Sequence, residues 1–344
     1  MFKTVELGEV LNYEQPTRYI VESDIYNDEY DVPVLTAGKS FILGYTNEKE
    51  NIYQNYPVII FDDFTTATKY VDFPFKVKSS AMKILSCDEN IADIKFLFYL
   101  IQTIKINSEQ HQRYWISKFS KIQIPLPSLV TQKAIAEKLD KADALRKKDQ
   151  ELLKQYDELA QSIFIDMFGD PVHNEKGWDL INFEEVLKLK RGYDLPVQDR
   201  NQNGNIPVYG SNGILDYHTI SKTNKPCIVT GRSGTIGKVH RTEQNCWPLN
   251  TTLYSYEIYD NNITYLEYLL NNLRIDRFAH GAGVPTLDRK IVHKEFIPNI
   301  KVELQNQFAE KIKNIEAQKE LVKKQAEASE NLFQALLQES FSFT

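Results

Sequence analysis

Two stretches, residues 127–168 and 300–341, each read as one long, charged, amphipathic helix, and the second copies the first. An offset of 173 residues lays Ile124 on Ile297, Pro125 on Pro298, Gln132 on Gln305 and Ala136-Glu137-Lys138 on Ala309-Glu310-Lys311. Without a gap, the same offset reaches Ala144 on Ala317, Leu159 on Leu332, Phe164 on Leu337 and Phe168 on Phe341. A repeat at half the chain length is a duplicated domain, not a solenoid. Leu145, Leu152 and Leu159 stand seven apart, as do Ile135, Ala142, Tyr156 and Ile163 if Asp149 is accepted as an interruption. That spacing predicts a helix-to-helix seam over about four heptads. At ~1.5 Å per residue such a helix reaches about 60 Å. Gly169-Asp170-Pro171 is suited to stop it, with glycine at the C-cap and proline just beyond.

The segments before each helix also match. Glu185-Val186-Leu187 echoes Glu9-Val10-Leu11, and Ile206-Pro207-Val208-Tyr209 echoes Val32-Pro33-Val34-Leu35. Pro226-Cys227-Ile228-Val229-Thr230 echoes Pro57-Val58-Ile59-Ile60-Phe61. These short β-branched and aromatic runs between turn signals predict strands, with further candidates at residues 71–77 and 81–85. Residues 91–106 and 265–275 predict a helix packed on each sheet, and residues 122–127 an extended lead into the first long helix. The expected order is globule, helix, globule, helix.

The 344-residue chain has room for this plan, and its 19 Tyr and 18 Phe argue against disorder. No run approaches the ~18 apolar residues of a membrane span. The N-terminus lacks a signal-peptide shape, and Cys87, Cys227 and Cys246 are too scattered for a disulfide framework, so the expectation is cytoplasmic. The net charge of −6 is unevenly spread: residues 1–31 hold eight acids against two bases. Residues 32–121 carry +2 and residues 186–300 carry +4, which permits a DNA-binding face without requiring one.

Catalytic motifs are not found. Gly231-Arg232-Ser233-Gly234-Thr235-Ile236-Gly237-Lys238 fails the phosphate-loop spacing, because Arg232 stands where a glycine is needed and Val239 where Ser or Thr is needed. It reads as a β-turn able to approach a DNA backbone. Cys227, His240 and Cys246 lack paired zinc spacing. Asp62, Asp63 and Asp72 lack a placed lysine partner for a nuclease and read as a solvated turn. Neither a methyltransferase base-gripping stretch nor a Gly-x-Ser-x-Gly elbow occurs.

The ordered motifs resemble the specificity subunits of type I restriction–modification systems. They are Ile124-Pro125-Leu126-Pro127 leading to Gln132, Phe168-Gly169-Asp170-Pro171, residues 206–213, the Gly231–Gly237 turn, Leu249-Asn250-Thr251-Thr252-Leu253, and a glycine loop from His280 to Leu287. In the first globule, residues 107–116 replace that loop and Phe61-Asp62-Asp63-Phe64 replaces the Gly-Arg-Ser turn. The resemblance implies an α+β fold: target recognition domains at 1–126 and 171–298, and spacer helices at 127–170 and 299–344 pairing antiparallel with pseudo-twofold symmetry. It implies a non-catalytic chain that reads double-stranded DNA, one half-site per globule, and positions two modification subunits and the restriction subunits. S-adenosylmethionine, ATP and magnesium would then act on those partners, with no cofactor or metal in this chain and no membrane.

Base readout favours arginine on guanine and asparagine on adenine. The candidates in the second globule are Arg191, Ser211, Asn212, Arg232, Ser233, Thr235, Asn250, Thr251, His280 and Thr286. Those in the first are Lys39, Thr66, Thr68, Lys69, Ser79, Ser80 and Lys118. A protein-binding coiled-coil adaptor would lack sequence-specific DNA binding, and a methyltransferase or nuclease would show activity as the isolated chain.

Overall fold

The structure, a computed structural model, describes residues 3–36, 40–104, 114–201, 203–281 and 285–342. The chain forms two compact units, residues 1–150 with 325–344 and residues 151–324. Each unit therefore holds one globular head and half of each long helix, Leu129–Phe168 and Val302–Phe341.

The heads share one topology. In the first, an antiparallel sheet runs in the order Asn12–Glu14, Met82–Ser86, Val58–Asp62, Thr68–Val71. A second sheet orders Ile42–Thr46, Val32–Leu35 and Lys76–Val77, the last pair parallel. In the second head the corresponding orders are Lys188–Arg191, Thr252–Glu257, Ile228–Gly231, Val239–Arg241, and Gly213–His218, Ile206–Gly210, Trp247–Pro248. Val58–Asp62 is buried along its whole length, which is why its sequence is a continuous apolar run and not an alternation. A two-stranded ribbon closes each head, Lys3–Glu6 with Gln123–Leu126 and Leu180–Asn182 with Phe296–Pro298.

One helix packs on each main sheet. Ile94–Thr103 is N-capped by Asp93, whose carboxylate accepts from the Phe96 amide at 2.8 Å, and buries Ile94, Phe96, Leu97, Tyr99, Leu100 and Ile101. Ile263–Leu273 is capped in the same way by Asn262. The helix thus begins a few residues after Ile91, since the cap residue and not the first apolar residue sets its start.

A glutamine fastens each head to its helix. Gln132 is fully buried; its Nε2 donates to the Pro127 carbonyl at 2.8 Å and its Oε1 accepts from the Asp93 amide at 2.8 Å. Gln305 repeats this at 2.8 Å for both bonds, on the Ile300 carbonyl and the Asn262 amide. Truncation strands buried backbone donors and acceptors. Gln132→Ala and Gln305→Ala are each expected to cost about 1–3 kcal/mol, read from urea midpoints of the full chain.

The long helices run antiparallel within each unit. In the first unit Lys138 pairs with Glu339 at 3.3 Å, Arg146 with Glu330 at 3.3 Å, and Asp149 accepts from Ser329 at 2.7 Å. In the second, Lys319 pairs with Asp157, and the Phe308 ring packs on Phe164 and Phe168 with centroids 5.6 and 5.4 Å apart. The repeat offset maps Arg146 onto Lys319 and Asp157 onto Glu330, so the same charged rung is built once per unit.

The inward face differs from the leucine line. Ala142 and Asp149 are buried and Ile135, Tyr156 and Ile163 half-buried, as the second heptad line predicts. The line three residues behind completes the seam: Gln132, Leu139, Arg146, Leu153, Ala160 and Met167, all buried or half-buried. Leu145 and Leu159 are instead 40% and 46% exposed. A buried Asp149 is tolerated because Ser329 and Gln325 both donate to it, the latter at 2.6 Å, and Arg146 lays its guanidinium 4.3 Å from the Phe333 ring centroid. Among the described residues no helix is long and apolar enough to cross a membrane.

Candidate nucleic-acid interface

In the second head the loops after one end of the strands gather into a polar rim. Ser211 and Asn212 form the two-residue turn between paired Gly210 and Gly213. Asn212 Oδ1 accepts from the Lys238 ammonium at 2.8 Å, joining this hairpin to the Gly-rich turn. Gly231 opens that turn and admits no side chain: a Cβ there would lie 1.8 Å from the Thr235 carbonyl oxygen. The amides of Arg232 and Ser233 donate to the Thr251 carbonyl at 2.8 and 3.1 Å, and the Arg232 carbonyl accepts from the Leu287 amide at 2.8 Å.

Every candidate of this head lies on that rim. Arg191 Nε donates to the Asn250 carbonyl at 3.3 Å, and Asn250 Nδ2 donates to Asp194. Thr251 supports the turn, and exposed Thr235 stands within it. Exposed His280 pairs with Thr286 in a small ribbon, and Thr286 bridges to Ser233. The guanidinium of half-exposed Arg232 has no hydrogen-bond or ion-pair partner among the described residues. Its backbone is held at both its amide and its carbonyl, so the donor fork projects from a fixed turn. Beneath the rim His240 is half-buried with Nε2 unbonded, and burial together with the Lys238 charge holds its pKa below the usual imidazole value. Cys227 and Cys246 face each other in the core at 3.9 Å, and their mutual hydrogen bond with burial pushes the Cys227 thiol far up.

The strand ladders align the heads residue by residue. Gly231 pairs with Thr252 as Asp62 pairs with Met82. The next amide in each donates to the carbonyl preceding that partner, Arg232 to Thr251 and Asp63 to Ala81 at 3.3 Å. The following carbonyl accepts from Leu287 in one head and from Tyr114 in the other. Asp63 therefore occupies the position of Arg232, Phe64 that of Ser233, and Ser80 that of Asn250.

That position is not a solvated turn. Asp62 and Asp63 are 6% and 3% exposed. Asp62 caps the bend, accepting from the Phe64 amide at 2.9 Å and the Thr65 hydroxyl at 2.6 Å. Asp63 accepts from the Trp115 amide at 2.8 Å and pairs with buried Lys83 at 3.5 Å. The acids look solvated in sequence because their partners, Trp115 and Lys83, lie on distant segments.

The six described candidates of the first head do not form one cluster. Ser79 and Ser80 line a cleft of about 420 Å³ with Gln15, Thr17 and Phe64. Thr66, Thr68 and Lys69 line a different groove of about 960 Å³ beside Lys95, Arg146 and Lys147. Lys118 lies over the Tyr114 ring, 5.5 Å from its centroid. Lys39 is outside the described residues. Reading by residue type overlooked Phe64, Gln15, Thr17 and, in the second head, Lys238; the replacement of Gly-Arg-Ser by Asp-Asp-Phe was the available signal.

A scaffold built twice, each copy carrying a different set of turns on the same strand ladder, belongs to the class of modular recognition proteins. The family described as type I restriction modification DNA specificity domain matches twice, over residues 1–155 and 175–330, and the chain belongs to it. The type I restriction enzyme EcoR124I/EcoR124II specificity subunit of Escherichia coli is 52% identical over 151 residues, 40% of this chain and 37% of that protein. The chain thus spans well under half the length of that relative. The S subunit structure of the type I system from M. genitalium superposes with a TM-score of 0.64 at 17% identity, covering 100% of this chain and 97% of that one. A chain solved in work on complex assembly and conformational transition of the type I R-M system gives 0.55 at 17% identity, covering 99% and 97%. Specificity subunits are the non-catalytic members of such systems.

Proposed function

We propose that each head reads one half of a divided DNA target and that the paired helices set the number of base pairs between the halves. The observation that carries this reading is the rim of the second head, where nine further candidates gather around Arg232, whose guanidinium has no partner among the described residues. Arginine on the O6 and N7 of guanine is the commonest base-specific contact in the major groove. Two modification subunits would dock on this chain and supply S-adenosylmethionine-dependent adenine methylation. Restriction subunits using ATP and magnesium would join through them, all in the cytoplasm. This chain's own residues would bind and orient the DNA and carry out no bond-breaking step.

Methylome sequencing of cells carrying the complete system tests the proposal, with the expected result a two-part motif of fixed spacing. Arg232→Ala should lower discrimination at one base of one half-site by about 10- to 100-fold, the worth of a bidentate pair. Methylation of a library randomised at both halves reads this directly. An unchanged site preference would remove Arg232 from the interface, and no motif at all would overturn the reading.

A further inference from the structure

We infer that Phe64 is the specificity-determining contact of the first head, and that it recognises the C5-methyl group of a thymine. This rests on the proposal that the turn tips read DNA, and adds that the two heads do so by different chemistry.

The ladder places Asp63-Phe64 where the second head has Arg232-Ser233. In the second head that place offers a cationic fork with no partner among the described residues. In the first it cannot: the Asp63 carboxylate is held by Trp115 and Lys83, and the Lys83 side chain is 2% exposed. Neither charge is available to a base or a phosphate. What the tip presents is Phe64, 47% exposed. Phe64 belongs to none of the buried clusters among the described residues, while the turn beneath is fixed by the Asp62 cap and the Asp63 bonds. The Phe64 backbone is therefore held in place, with the ring at the edge of the cleft that holds Ser79 and Ser80. In the major groove the thymine methyl is the one apolar marker that distinguishes a base pair, and aromatic or aliphatic side chains read it by contact.

The test uses the full chain assembled with its modification subunits, on duplexes of the target defined by methylome sequencing. The first half-site is the one whose recognition Arg232→Ala leaves intact. Each of its thymines is replaced in turn by deoxyuridine, which removes only the methyl group. Wild-type complex should bind one of these duplexes about 4-fold more weakly, the worth of one buried methyl. Phe64→Ala should bind the thymine duplex about 4-fold more weakly and be indifferent to deoxyuridine at that position, while Phe64→Leu retains part of the discrimination. A deoxyuridine penalty that persists in Phe64→Ala overturns the inference. So does a first half-site with no thymine on either strand, or the absence of any deoxyuridine effect, the result expected of a wedge between base steps. If Phe64→Ala changes nothing while Arg232→Ala still relaxes the other half-site, only this inference falls. Loss of all sequence preference in the wild-type complex would instead overturn the proposed function.

Discussion

Asp63→Ala is expected to destabilise the first head by about 3–5 kcal/mol, the usual result of removing one partner from a buried ion pair. The substitution leaves the Lys83 ammonium, on a side chain 2% exposed, without its counter-charge. It also strands the Trp115 amide, which the carboxylate accepts at 2.8 Å in a buried setting. The Tyr13 ring, with its centroid 5.4 Å from Lys83 Nζ, offers only a weak substitute. Adding Lys83→Met removes the stranded charge and should recover at least half of the loss. Urea unfolding of the full chain, comparing the single and double variants, reads both steps. A cost below about 1 kcal/mol for the single variant would show that water reaches the pair and screens it.

Inserting one heptad after Gln150 and one after Lys324 should lengthen the DNA spacer by about three base pairs and leave both half-sites unchanged. Seven residues are close to two full turns, so the inward line through Gln132, Leu139, Arg146 and Leu153 is carried forward on the same face. The added rise is about 10 Å, against ~3.4 Å per base pair along the duplex. Both helices must be extended together, because a single insertion would slide Arg146 past Glu330 or Lys319 past Asp157. Methylome sequencing reads spacer and half-sites in one experiment. A change in either half-site with a constant spacer would sink the ruler reading.

The architecture was legible in sequence because duplication supplies its own control. A seam position such as Ile135 or Ala142 has a copy 173 residues on, at Phe308 or Ile315, and both copies face inward. The face of the seam was read less well. Hydrophobicity favoured Leu145 and Leu159, whereas the fold buries Asp149, because the partners that make this acceptable come from the other helix. The second rim was legible since glycine and short polar residues cluster where backbones approach closely, as at Gly231 beside Thr235. The first rim was not. Its turn follows the same ladder, but Asp62-Asp63-Phe64 shares no residue with Gly231-Arg232-Ser233, and strand register, not similarity, aligns Asp63 with Arg232.

The glutamine fastening has a bearing on how such a chain acquires new targets. Gln132 and Gln305 each engage a cap amide and a backbone carbonyl, groups that a head of this topology offers whatever its turn tips contain, and Gln305 adds one side-chain bond, to Asn261 Oδ1 at 2.8 Å. A recombination event that exchanges one head for another therefore meets a socket that already fits. On the proposed function, exchanging one head while leaving both helices as they are should change one half-site and keep the other.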